Sequence, residues 1–170
     1  MKGKAKCLVR VCAGLVWVAA AVCFSPAAAQ EYAAALQGLE RLDVVFDVAQ
    51  GNPAAANVVF WAVRDVYQAE EVRALPEKPR VVVAFRGPAV RLLSTKREGV
   101  TREDAEAMDR FAATLREMKK DGVRLEVCLY AVQVLGVDPA SLLPEVDRVT
   151  NGFVSVVGYQ NQGYAVVAIP

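Results

Sequence analysis

The chain has 170 residues, 20 basic against 19 acidic side chains, a formal net charge of +1, and 55% hydrophobic residues. Charge this balanced, with Lys and Arg scattered rather than clustered, argues against a nucleic-acid-binding surface. Histidine is absent, which excludes a Ser-His-Asp or Cys-His pair, an imidazole general base and His-ligated zinc.

The first 29 residues read as a signal peptide. Lys2, Lys4, Lys6 and Arg10 form a basic start, Val11 to Phe24 an apolar stretch, and Ser25-Pro26-Ala27-Ala28-Ala29 a small-residue cleavage site before Gln30. The apolar stretch spans 14 residues, short of the roughly 20 that a membrane-crossing helix needs. The expectation is therefore a periplasmic or secreted protein with no membrane attachment after cleavage. Cys23 raises a lipid-modified terminus, but Val22 stands before it where a small residue is expected. Removal of the leader leaves residues 30–170, enough for one domain with its own core. The remainder carries 16 basic and 19 acidic residues, a net charge of −3, and Cys128 is the only one of four cysteines left in it. No intramolecular disulfide can then form. A metal could be held only by carboxylates and one thiolate, and no tight cluster of these appears, so neither metal nor cofactor is expected.

Residues 30–40 form a short lead-in. Leu42–Val48 is rich in β-branched residues and reads as a strand, broken by Gln50-Gly51-Asn52-Pro53. Asn52 suits a helix N-cap and Pro53 the first helical position. The helix is expected to run to about Leu75, before Pro76 and Pro79. Its middle, residues 58–63 (VVFWAV), is apolar nearly all round. That predicts burial on more than one side, by the sheet and by a partner subunit, with Trp61 and Tyr67 in core or interface. Arg80–Arg86 is a second strand, stopped by Gly87-Pro88, and residues 89–94 are a turn or short helix. Thr101 to Lys120 is the clearest helix. Thr101 and Asp104 resemble a capping box, acidic residues crowd the first turn, Lys119 and Lys120 the last, and Gly122 ends it. Ala105, Met108, Phe111, Ala112, Leu115 and Met118 mark its apolar face. Val123–Val127 is the third strand, with Cys128 at its end, and Tyr130–Leu135 a short helix stopped by Gly136. Residues 138–146 form a loop and residues 147–150 a brief strand. Asn151-Gly152 is a cap-like break before a helix at Phe153–Gln162, and Tyr164–Ile169 closes as a strand.

This alternation predicts an α/β domain with a mainly parallel five-stranded sheet. In such sheets the loops at the carboxyl ends of the strands build the site. Here those loops hold Gln50, Gly51 and Asn52; Arg86 and Gly87; Cys128; and Asn151 and Gly152. Cys128, at a strand-to-helix junction, is the candidate catalytic residue, because backbone N–H groups at a helix start favour an anion and a thiolate is a nucleophile. The other reading of Cys128 is an inert buried thiol. Arg86, Gly87, Asn52 and Asn151 are candidate anion- or substrate-binding residues. Against that, Arg86 also reads as a solvated strand end and the two asparagines as helix caps. Asp47 reads as a structural hydrogen-bonding group or a site carboxylate.

Several segments, in order, resemble the DsrE/DsrF-like sulfur-relay family in its secreted branch. They are VVFDVAQGNP at 44–53, the strand with Arg-Gly-Pro-Ala-Val up to 90, GVRLEVC at 122–128, GVDPASLLPEV at 136–146 and GYQNQGYAVVAIP at 158–170. The resemblance implies a flavodoxin-like three-layer α/β/α domain assembled as a trimer or hexamer. It also implies that Cys128 carries sulfur as a persulfide between donor and acceptor thiols or proteins. Arg86 stands where many relatives carry histidine. The leader separates the chain from the cytoplasmic tRNA-thiolation relay of some members. The alternative is a non-catalytic module of the same fold that binds an anion or a partner.

Overall fold

The computed structural model describes residues 32–170; the predicted signal peptide lies outside the described residues. Five parallel strands run in the order β4-β3-β2-β1-β5: β1 Asp43–Val48, β2 Arg80–Phe85, β3 Arg124–Cys128, β4 Asp147–Val149 and β5 Ala165–Ile169. Flavodoxin sheets run 2-1-3-4-5; here the strand beyond β1 is the last rather than the second. β1 pairs with β2 from Asp43↔Arg80 to Val48↔Phe85 and with β5 from Val44↔Ala165 to Val48↔Ile169.

Helices cover both faces unequally. On one face pack α1 (Pro53–Gln68) and α3 (Arg102–Lys120), with α4 (Leu129–Val134) and the 3-10 turn Gly87–Leu93 beside them. Asn52 caps α1 by accepting from the Ala55 N–H at 2.9 Å, and Pro53 opens it. Thr101 caps α3 by accepting from the Asp104 N–H at 3.2 Å. The centre of this core is an aromatic triad: Phe111 meets Phe60 edge-on at 4.7 Å and Phe85 edge-on at 6.1 Å between ring centroids.

The opposite face carries α5 (Gly152–Asn161). Its core is small: Val45, Val82 and Ala84 from the sheet meet Val156 and Tyr164, with Tyr159 packed alongside.

The predicted elements occur with one main difference. The helix expected from 53 to 75 breaks at Ala69, whose extended backbone separates α1 from a single turn, α2 (Glu70–Arg73). Neither glycine nor proline marks that break, so propensity and punctuation could not reveal it. Within this chain the stretch 58–63 buries Phe60 and Val63 in the core, while Val58 and Trp61, on the side expected to meet a partner subunit, are 77% and 75% exposed.

Candidate functional site

The carboxyl edge of the sheet brings together Cys128, Arg86 and Gly152. Parallel pairing sets Cys128 beside Val149 of β4, and Phe85 of β2 ends beside Val127, so Arg86 begins the neighbouring loop. The α5 N-terminus closes over both. A Cβ placed on Gly152 would lie 3.0 Å from the Cys128 Cβ, 3.6 Å from its Sγ and 3.7 Å from the Arg86 Cβ. The missing side chain is what lets the helix backbone approach this closely.

The result is a thiol at the rim that is covered. Cys128 is 3% exposed and is the free cysteine among the described residues. Of the two readings of Cys128, nucleophile or buried thiol, the burial of the second is met: the sulfur lies beneath Gly152 and beside Arg86.

Arg86 is committed as well. Its guanidinium makes a two-pronged pair with Asp47, through Nε to Oδ1 and Nη2 to Oδ2, the latter at 2.5 Å. The Asp47 hydrogen bond raises the Arg86 pKa further above its ordinary value, and burial opposes it, so the cation is fixed in its charged form. The Phe153 ring lies over it, 4.7 Å from ring centroid to guanidinium carbon, a favourable cation–π geometry. Asp47 therefore belongs to the site as the group that orients Arg86. The signal for it was present in the strand pattern: Asp47 shares a face with Val45, and a carboxylate on a buried face needs a partner.

Asn151 caps α5 by accepting from the Phe153 N–H at 3.0 Å, which places it at the mouth of the site as a structural cap. Asn52 does the same for α1 on the other face of the sheet, and its own N–H donates to Gln50 Oε1 at 2.8 Å. Gly87, with φ +52°, turns the chain after Arg86 and packs toward Ala49. These two residues support the loops near β1 and β2 rather than touching the thiol. Parallel sheets commonly bind ligands where the strand order reverses, here between β1 and β5. Gln50 ties the loop after β1 to the end of β5 by donating to the Pro170 carbonyl at 3.1 Å.

One residue of the site's surroundings had no counterpart in the sequence reading. Glu126, on the face of β3 that α5 covers, is 2% exposed. Its Oε1 accepts from the Tyr159 hydroxyl at 2.7 Å and pairs with Arg124 Nε at 2.9 Å, while Oε2 has no partner. Burial and this hydrogen bond push the Tyr159 hydroxyl up to about 12, so it stays protonated and donates. Glu126 and Tyr159 thus pin the second half of α5.

A cavity of about 640 Å³ lies at the opposite edge, among Tyr67, Arg73, Lys78, Asp121 and Val123. Tyr67 there donates to Asp121 at 2.8 Å, and burial first, then that bond, pushes it up to about 12. Among the described residues no group of three or more Cys, Asp or Glu is placed to hold a metal.

The architecture and the edge cysteine define an α/β domain with a thiol at the carboxyl end of a parallel sheet. The sequence profile of the DsrE/DsrF-like family matches residues 25–169, and the chain belongs to that family. Two solved structures share its fold. The protein of unknown function MTH1491 from Methanobacterium thermoautotrophicum aligns with TM-score 0.58 and 21% identity, over 75% of this chain and 98% of its own. The ychN protein from E. coli aligns with TM-score 0.52 and 13% identity, over 75% of this chain and all of its own. No curated protein matches the chain.

Proposed function

We propose that the protein is an exported sulfur carrier that works through Cys128. The observation that carries this reading is the placement of Cys128 at the carboxyl end of β3, between Arg86 and the N-terminus of α5, in a chain of the DsrE/DsrF-like family. The Cys128 thiolate attacks the outer sulfur of a donor persulfide, R–S–SH. A new S–S bond forms to Cys128, the donor S–S bond breaks, and the donor leaves as a thiolate that takes up a proton. An acceptor thiolate then attacks the outer sulfur of the Cys128 persulfide and restores the Cys128 thiolate. No net oxidant is consumed in either step. Donor and acceptor are thiols or proteins outside this chain.

The reading includes cleavage of residues 1–29 and a periplasmic or secreted location, supported by the basic, apolar and small-residue pattern of the leader. It also includes assembly into a trimer or hexamer, supported by exposed Val58 and Trp61 one turn apart on α1. Light scattering on the purified protein tests assembly: a mass of three or six chains is expected, and a monomer at micromolar concentration contradicts it.

Sulfur transfer is tested by incubating the protein with glutathione persulfide and weighing the peptide that contains Cys128. One added sulfur, removed by excess thiol and lost in Cys128→Ser, is expected. A second reading, an anion- or partner-binding module, is favoured by the burial of Cys128. It predicts no sulfur uptake and a binding activity that survives Cys128→Ser.

A further inference from the structure

Burial of Cys128 at the rim raises the question of how any reagent reaches it. We propose that the first turn of α5 is a lid that opens locally to expose the Cys128 sulfur and closes over it again, with Tyr159 as the pivot. The inference rests on the carrier reading only for what passes through the lid.

Three features of α5 support it. The lid is in direct contact: Gly152, the first residue of the helix, sits against the Cys128 Cβ and Sγ. The helix is also weak by composition. GFVSVVGYQN contains three valines, a serine and an internal glycine, each less favourable in a helix than alanine, glycine by about fivefold in the helical equilibrium. Finally, its attachment is uneven. Gly152 and Val156 are its buried residues, whereas Phe153, Val154 and Val157 are exposed. The second half is pinned by the Tyr159–Glu126 hydrogen bond and by Tyr159 packing at 5.1 Å from Tyr164, ring centroid to centroid. The first turn is held by the Asn151 cap and by the Phe153 ring over Arg86. Segments with few buried apolar contacts open at lower free energy than the fold as a whole. α5 thus combines a weak helix composition, a small buried face and contact with the Cys128 side chain.

Lifting this turn removes Gly152 from Sγ and Phe153 from Arg86, and leaves the Arg86–Asp47 pair on the sheet. Closing it again withdraws the sulfur, or a sulfur it carries, from bulk thiols.

Alkylation of the native protein by iodoacetamide, read on the Cys128 peptide across urea concentrations below the unfolding transition, tests the lid. Reading that peptide keeps the leader cysteines out of the measurement. The expected result is labelling through an opening whose urea dependence is well below that of global unfolding. Val154→Ala, at an exposed position in the first turn, should slow labelling about threefold, equivalent to about 0.7 kcal/mol of added helix stability. Phe153→Ala should speed it by about twofold to fivefold through loss of the ring over Arg86. Labelling with the full urea dependence of global unfolding overturns the proposal. So does labelling at the rate of an unstructured cysteine peptide, untouched by either substitution. Iodoacetamide reports only whether Sγ can be reached, so its outcome is separate from whether Cys128 accepts sulfur from a persulfide.

Discussion

On one face of the sheet α3 buries six side chains, Ala107, Met108, Phe111, Ala112, Leu115 and Met118; on the other, α5 buries Gly152 and Val156. The two helices differ just as much in their own sequences. α3 is made mostly of Ala, Glu, Arg, Met, Lys and Leu, with a side-chain cap, acidic residues in its first turn and lysines in its last, so propensity, dipole and packing agree. Half of α5 is valine and glycine, and it exists because the sheet and Tyr159 hold it. The difference teaches where stability resides: the thick face holds the fold together, and the thin face covers the Cys128 thiol.

That contrast can be broken or sharpened by substitution. The largest effect is expected from Phe111→Ala, which empties the centre of the aromatic triad. Such a truncation costs about 3–5 kcal/mol and should be seen as a large fall in the urea midpoint. Val156→Ala on the thin face should cost less, about 1–2 kcal/mol, yet accelerate labelling of Cys128 more than Phe111→Ala does at equal global stability. If the two substitutions affected labelling only in proportion to global stability, the two faces would not be independent. Thr101→Ala removes the α3 cap and should lower global stability by about 1 kcal/mol without changing the sub-global opening at Cys128.

The smallest effect is expected at the amino edge of the thin face, where Asp43 meets Arg80 and Arg41. The Arg80 hydrogen bond, with that of Arg41, holds the Asp43 carboxyl well below its ordinary value of 3.8, although burial opposes this. A carboxylate whose pKa is lowered by folding adds stability above its unfolded pKa and loses it as pH falls toward the folded value. The contribution should therefore fade below about pH 4. With Arg80 half exposed, solvent screening keeps it to at most about 1 kcal/mol. Melting temperatures of Asp43→Asn and the parent should differ at pH 6 and converge in strong acid; a constant gap would contradict the assignment.

Most of the elements were legible because their ends are chemically marked. Asn52, Thr101 and Asn151 each proved to cap a helix by accepting from a backbone N–H, and Gly87, Gly122 and Gly136 carry positive φ at the turns. The strand order was not legible, since placing β5 beside β1 depends on tertiary packing rather than on local pattern. The break at Ala69 has no local marker. Cys128 as the edge thiol followed from strand and helix boundaries alone, but its cover did not. Gly152 looked like punctuation, whereas its missing side chain is what allows α5 to rest on the sulfur. The partnership of Arg86 with Asp47 was within reach of strand alternation, because Asp47 falls on the same face as Val45. Trp61 shows the opposite limit: an apolar run marks a helix without telling which of its faces this chain itself covers.

The carrier reading stands or falls on the peptide containing Cys128. Exposed to glutathione persulfide under conditions in which iodoacetamide alkylates the same residue, it is expected to gain one sulfur that excess thiol removes. A Cys128 that alkylates but never gains sulfur would leave the lid in place and contradict the transfer chemistry assigned to this site.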